Sequence, residues 1–240
     1  MKRLRAALQF MTTLPLGRPV RLAPAAMAPF FPLTGLLLGL ITALADLAFR
    51  RLWPPGVAAV LDTVLLIVLS GALHLDGLGD TADGIFSHRG RERALEIMKD
   101  SRVGAMGLVT IVCVLGIKAA ALSSLSQHRF LMLTAVPAFS RSGILAAMRT
   151  LPYGRPEGGL GRPFFEKRLA AASFWAVAVP FALALACGAT GVLVCAGFVL
   201  ITLFLIAFYR RKLGCVTGDM LGAMIEVSEA FLFLLAAVGG

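Results

Sequence analysis

Long apolar runs broken by short basic ones set the pattern of the chain. Mostly apolar stretches near 30–49, 57–75, 103–122, 129–148, 171–187, 191–209 and 219–238 each approach the roughly 20 residues that cross a bilayer as a helix. The pattern predicts an all-α, polytopic integral membrane protein of about seven transmembrane helices, with residues 1–240 forming one membrane-embedded catalytic domain. Little more than Gly188 to Thr190 separates the fifth and sixth stretches, so these two are expected as a helical hairpin with a tight turn. No soluble domain and no internal repeat is visible. Ahead of the first stretch, Arg3, Arg5, Gln9 and the Thr12–Thr13 pair interrupt the apolar run from Met1 to Leu14. That segment reads as an interfacial helix with Leu4, Leu8 and Phe10 facing lipid or protein, and not as a cleavable signal.

Composition agrees with lipid as the solvent. The chain is 58% hydrophobic and 15% charged, where a soluble domain carries roughly 25% charged residues. Its 23 Lys and Arg exceed its 13 Asp and Glu for a net charge of +10. On an apolar chain such an excess obeys the positive-inside rule and does not signal nucleic acid. Eighteen basic residues fall on one side: five at the amino terminus, five in 76–102, five in 149–170, and Arg210, Arg211 and Lys212. The opposite side has Arg50, Arg51 and Arg129, while Lys118 and Arg141 lie within predicted spans. An odd number of spans preserves this split. It predicts a multi-pass protein of the cytoplasmic (inner) membrane with its amino terminus and the 76–102 segment facing the cytoplasm. Cys113, Cys187, Cys195 and Cys215 form no CxxC pair and read as small core residues.

The acids are the scarcer and more informative charges. Nine of the 13 occupy two places: Asp76, Asp80, Asp83, Glu92, Glu96 and Asp100 in one stretch, and Asp219, Glu226 and Glu229 at the last span. On a helix, Asp76, Asp80 and Asp83 project within an arc of roughly 60°. Carboxylates so arranged repel one another and require either a hard divalent cation or a shared proton. Gly77, Gly79 and Gly84 favour the cation, since residues without side chains let a phosphate approach while the acids hold Mg²⁺ through oxygen. The competing reading is a polar, solvated loop.

Downstream, Lys99 and Arg102 are expected either to hold substrate phosphates or to anchor at headgroups. His88 reads as a base, a phosphate donor or an interfacial polar residue. His74, on the opposite helical face from Asp76, is expected to serve packing. Glu92 and Glu96 read as surface partners of neighbouring arginines. Asp219 opens the last apolar helix, and Glu226 and Glu229 continue its acidic stripe into the bilayer, where Arg141 and Lys118 are available partners.

The run from His74 to His88 (HLDGLGDTADGIFSH), followed by Met98 to Gly107 (MKDSRVGAMG), closely resembles the signature of the cobalamin synthase family, the adenosylcobinamide-GDP ribazoletransferases. Phe10 to Pro15, Ser140–Arg141, Pro152 to Gly161 (PYGRPEGGLG) and Thr217 to Gly222 with Glu226 and Glu229 follow in the family's order. The resemblance thus covers nearly the whole chain. The sequence departs at Thr13, where a basic residue is common. The resemblance implies a Mg²⁺-dependent transferase that joins α-ribazole, or its 5′-phosphate, to adenosylcobinamide-GDP and releases GMP in the final assembly step of cobalamin biosynthesis. The acidic cluster itself motivates the expected roles: Asp76, Asp80, Asp83 and Asp219 hold one or two Mg²⁺ ions on the pyrophosphate, Asp100 or His88 is the base, and Lys99, Arg102, Arg141 and Arg155 orient phosphates. The partners are the two substrates and the bilayer, with a second copy of the chain or other corrinoid-pathway enzymes as further associations.

Two other readings compete. Asp80 to Gly84 matches the opening DxxDG of the CDP-alcohol phosphotransferases of phospholipid synthesis, but Ser87–His88 replaces the Ala-Arg that family carries, and the later acids are missing. A polytopic carrier would use Glu226, Glu229, Arg141 and Lys118 as an intramembrane relay, yet repeat symmetry and paired broken helices are not evident.

Overall fold

A computed structural model describes residues 2–20, 24–100, 102–155, 157–159 and 161–238. Arg21, counted among the basic residues, and Ser101, Pro156 and Leu160 of the signature runs lie outside them. Eleven α-helices follow in chain order among the described residues: α1 (Lys2–Met11), α2 (Pro24–Met27), α3 (Phe31–Leu52), α4 (Pro55–Ser70), α5 (Leu73–Ile85), α6 (Arg91–Ile97), α7 (Ala105–Ser124), α8 (Arg129–Thr150), α9 (Ala178–Leu185), α10 (Gly188–Lys212) and α11 (Gly218–Ala236). The described residues contain no strand, only an isolated bridge between Tyr153 and Val216.

The chain is an all-α polytopic membrane protein. Four helical segments, Pro24–Leu52, α7, α8 and α10, are long and apolar enough to cross a bilayer, and α4 with α5 makes a fifth if that pair is one broken span. The other two expected spans are helical but differ in kind. Residues 171–185 form a short apolar helix that begins as a 3₁₀ segment. In α11, 19 residues long, Asp219, Glu226 and Glu229 interrupt the apolar run.

α8 is the hub. It is buried along nearly its whole length and packs on α3, α9, α10 and α11. Its closest approach is to α3, where small residues remove the space between backbones. A Cβ at Gly35 would stand 2.0 Å from the Pro137 carbonyl oxygen, and one at Gly39 would stand 2.4 Å from that of Leu133.

The expected second span breaks in two. Gly71 and Ala72 both adopt left-handed backbone (φ 62° and 57°), and α5 departs from α4 at 92°. Thr13 holds this elbow: its N–H donates to Leu69 O at 2.9 Å and its hydroxyl to Val68 O at 2.9 Å. The carbonyls left free at the end of α4 are thereby satisfied from the amino-terminal segment. The amino-terminal helix forms as expected and buries Ala6, Ala7, Leu8 and Met11 against the protein.

Intramembrane charges form two buried clusters. The Lys118 ammonium donates to Glu226 at 2.7 Å and to Glu229 at 2.9 Å, and Arg141 and Ser140 complete the set on Glu229. At the other end of α8, Arg129 grips Asp46 through two bonds of 2.8 Å and reaches Asp62 at 2.7 Å. Full burial is tolerable because each ion has an opposite charge and hydrogen-bond partners.

Candidate active site

The acidic helix α5 lies against the first turns of α7 and α11. Glycines make that contact. A Cβ at Gly77 would fall 2.7 Å from the Asp219 carbonyl oxygen, and one at Gly222 would fall 3.1 Å from His74 Cα. Gly79 faces Ile111 and Gly84 faces Met98 and the Ala94 carbonyl. The α5 glycines therefore serve helix packing, correcting the expectation that they open a path for phosphate: backbone and side chains already fill the spaces beside them.

The contact gathers the carboxylates. Asp80 lies in the combined field of Asp76, Asp219 and Asp83, with Arg155 as the opposing charge. Asp83 accepts from the Gly104 N–H at 2.7 Å and the Gly107 N–H at 2.8 Å, so it caps the start of α7. Only glycine fits there, since a Cβ at Gly107 would lie 2.4 Å from the Asp83 carboxylate. Asp219, in the first turn of α11, accepts from Arg155 Nη2 at 2.5 Å. Arg155 is placed by the loop before it: Gly154 N–H donates to Val216 O and Val216 N–H to Pro152 O, both at 2.9 Å, which ties 152–154 to the strand-like entry of α11. A further bond from Arg155 to Met98 O, 3.0 Å, links the loop to the end of α6.

Asp76, Asp219 and Arg155 line the mouth of a cavity of about 360 Å³. Sites for small molecules run from roughly 300 to 1,000 Å³, so this one suits a nucleoside better than a macrocycle. Its walls include Phe10, Phe31 and Phe164, whose ring centroids lie 5.1 to 6.2 Å apart. Tyr153 and His74 also line it. The His74 Nδ1 stands 3.4 Å from Arg141 Nη2, a long contact that suits a ring with its proton on Nε2.

Among the described residues no three His, Cys, Asp or Glu side chains stand close enough to ligate a metal ion in their present rotamers. The donor chemistry nevertheless fits Mg²⁺. The set is carboxylate oxygen without soft ligands, carried on two helices in backbone contact, and one arginine faces four acids.

A family model described as Cobalamin-5-phosphate synthase matches residues 3–237. The chain belongs to that family. Curated relatives named adenosylcobinamide-GDP ribazoletransferase include one from Syntrophobacter fumaroxidans, 41% identical over 96% of this chain and 96% of its own. A relative of that name from Pseudomonas aeruginosa is 38% identical over 99% of this chain and 98% of its own. Another, from Acetivibrio thermocellus, is 36% identical over 86% and 84%. No solved structure matches the chain. The likeness to CDP-alcohol phosphotransferases ends with the five residues Asp80 to Gly84.

In this cobalamin-5-phosphate synthase fold, Asp76, Asp80, Asp83, Asp219 and Arg155 come together, and the other expected site residues stand apart. Arg141 is sealed at 1% exposure on Glu229 and does not line the cavity. Lys99 pairs with Glu157, whose carboxyl it holds below the ordinary range. Arg102 clasps Asp100 at 2.6 Å, and those hydrogen bonds hold the Asp100 carboxyl down to about 2. His88, with φ 55°, lines a separate basic notch beside Arg89 and Lys212. Sequence reasoning left three groups unassigned. Tyr153 lay within the Pro152 to Gly161 run without an assigned role, and the phenylalanine walls gave no polar signal. Asp46 and Asp62, acids inside apolar spans with Arg129 at a border, carried a legible one.

Proposed function

We propose that the cavity holds ribazole and that the reaction occurs at its acidic mouth. The protein is the transferase of the final assembly step of cobalamin biosynthesis, joining ribazole to adenosylcobinamide-GDP. The observation that carries the placement is the cavity itself: an aromatic wall suited to a planar base ends at the Asp76, Asp219 and Arg155 group. The corrinoid, too large for the cavity, meets the mouth from outside with its pyrophosphate beside the acids.

In this reading the ribazole hydroxyl attacks the phosphorus attached to cobinamide, the bond to GMP breaks, and GMP leaves with the electron pair. Asp80 and Asp219 would hold Mg²⁺, with Asp83 fixing α5 to α7 and Asp76 left free of the ion. The ion supplies charge neutralisation on the leaving phosphate. Arg155 orients a phosphate by charge-assisted hydrogen bonds. The His74 Nε2–H is a neutral donor at the cavity floor, and Asp76 is the cavity carboxylate without an ion pair among the described residues, suited to take the hydroxyl proton. We read the site as facing the cytoplasm from the inner membrane, a reading that the excess of Lys and Arg on one side supports.

The test is turnover by the purified, detergent-solubilised protein with adenosylcobinamide-GDP and α-ribazole. A corrinoid product with stoichiometric GMP is expected with Mg²⁺ and neither with chelator. An Asp80→Asn protein that folds normally and keeps full Mg²⁺-dependent turnover overturns the metal assignment.

A further inference from the structure

Further along the acidic helix from the cavity, two more hollows meet at Ile85. One is an apolar groove of about 330 Å³ between α5, α7, α10 and α11, with Leu78, Phe204 and Phe208 among its walls. The other is the notch of about 230 Å³ formed by His88, Arg89 and Lys212 around Ile85 and Leu213. Large apolar side chains stand exposed beside the groove: Phe86 at 43% and Phe204 at 59%. Thr81 lines it too, and its buried hydroxyl has no hydrogen-bond partner among the described residues. Neither Arg89 nor Lys212 has an ion-pair partner among them, in contrast to the buried cations Lys118, Arg129 and Arg141.

We infer that the groove and the notch together bind one anionic phospholipid. An acyl chain lies between α5 and α10, and its phosphate rests on Arg89 and Lys212. The Thr81 hydroxyl is the donor this arrangement offers to an ester carbonyl. Continuity decides the occupant. A soluble phosphate needs only the notch, and a neutral lipid only the groove, whereas one anionic lipid fills both and neutralises two cations that the protein leaves uncompensated. α10 ends in Arg210, Arg211 and Lys212, which places the notch at the level where an apolar helix leaves the bilayer. On α5, Asp76 faces away from Leu78, Thr81 and Ile85, and on α11 Asp219 stands one turn before Ala223, so the lipid braces the two helices that form the mouth. The inference stands on the membrane fold and is independent of the catalytic assignment.

Native mass spectrometry of the full chain in detergent tests it with three probes: dioleoylphosphatidylglycerol, dioleoylphosphatidylcholine and glycerol 1-phosphate. Two cations at a lipid headgroup favour the anionic lipid by about thirtyfold, so one phosphatidylglycerol is expected to remain bound where phosphatidylcholine dissociates. Arg89→Gln with Lys212→Gln is expected to erase that preference, and Arg89→Lys with Lys212→Arg to keep it. Thr110→Trp, which fills the groove from its α7 wall, is expected to release phosphatidylglycerol with the helical circular dichroism unchanged. Equal retention of both lipids by the unmodified protein, or an intact preference in the Gln pair, overturns the proposal. So does glycerol 1-phosphate binding as tightly as the whole lipid, which makes the notch a site for soluble phosphates.

Discussion

Arg155 is the cation on which the acidic mouth depends. It bonds Asp219 and the Met98 carbonyl at once, so it fixes the loop, and in the proposed function it receives the pyrophosphate. A hydrogen bond to a charged group contributes about 1.5–3 kcal/mol, and Arg155→Ala is therefore expected to lower kcat/KM by roughly tenfold to 150-fold. Arg155→Lys should restore only part of that, because both bonds leave from Nη2 and an ammonium has no further guanidinium nitrogens to offer a phosphate. Asp100 is the contrasting case. With its carboxyl held down to about 2 by Arg102, it stays ionised throughout the neutral range and its protonation cannot shape an acid limb there. Asp100→Asn is expected to cost less than about tenfold, as for an exposed ion pair. The acid limb of the kcat/KM profile should not move, and a limb that shifts or vanishes would make Asp100 the base after all. The aromatic wall gives a third measurement. Stacking a base on an aromatic ring contributes about 1–3 kcal/mol, so Phe10→Ala should raise KM for ribazole by about 5- to 150-fold while kcat changes little.

At the scale of elements, the helices were legible and their interruptions were not. Apolar length announced α3, α7, α8 and α10, because a bilayer imposes a length on anything that crosses it. The spacing of Asp76, Asp80 and Asp83 announced a helix with one acidic face, and α5 is that helix. The elbow before it escaped because the signal is a backbone conformation. Gly71 permits the left-handed turn, but Ala72 adopts it only because Thr13 and the packing around it impose the geometry. The site divided the same way. Carboxylates clustered in sequence also cluster in space, since one short helix carries them. Lys99, Arg102, Asp100 and His88 were grouped with them by proximity along the chain, yet they lie beyond the end of α5, where the chain has turned away and each cation finds a nearer acid. Arg155 and Asp219 are 64 positions apart. Only the family's motif order hinted that they meet.

Across the whole molecule, the two buried charge clusters divide stability from function. Arg129 with Asp46 and Asp62 ties α8 to α3 and α4 at the end away from the cavity. Lys118, Glu226, Glu229 and Arg141 tie α7, α8 and α11, and through Arg141 they touch His74 at the cavity floor. The four charges of the second cluster are spent on one another, which is the arrangement of a clamp and leaves no vacancy for a transported ion. Removing one partner of a buried group strands the rest and costs about 3–5 kcal/mol, whereas replacing the whole group by apolar residues is often neutral. Arg129→Leu alone is therefore expected to lower the midpoint of unfolding in detergent sharply. Adding Asp46→Leu and Asp62→Leu should recover most of that loss, with turnover near that of the parent protein. The corresponding neutral replacement of Lys118, Glu226, Glu229 and Arg141 should also recover stability relative to Lys118→Met alone. Turnover should not return with it, because His74 loses the arginine that fixes its tautomer. A fully active and stable apolar replacement of the second cluster would show that His74 needs no such support and that both clusters are scaffold alone.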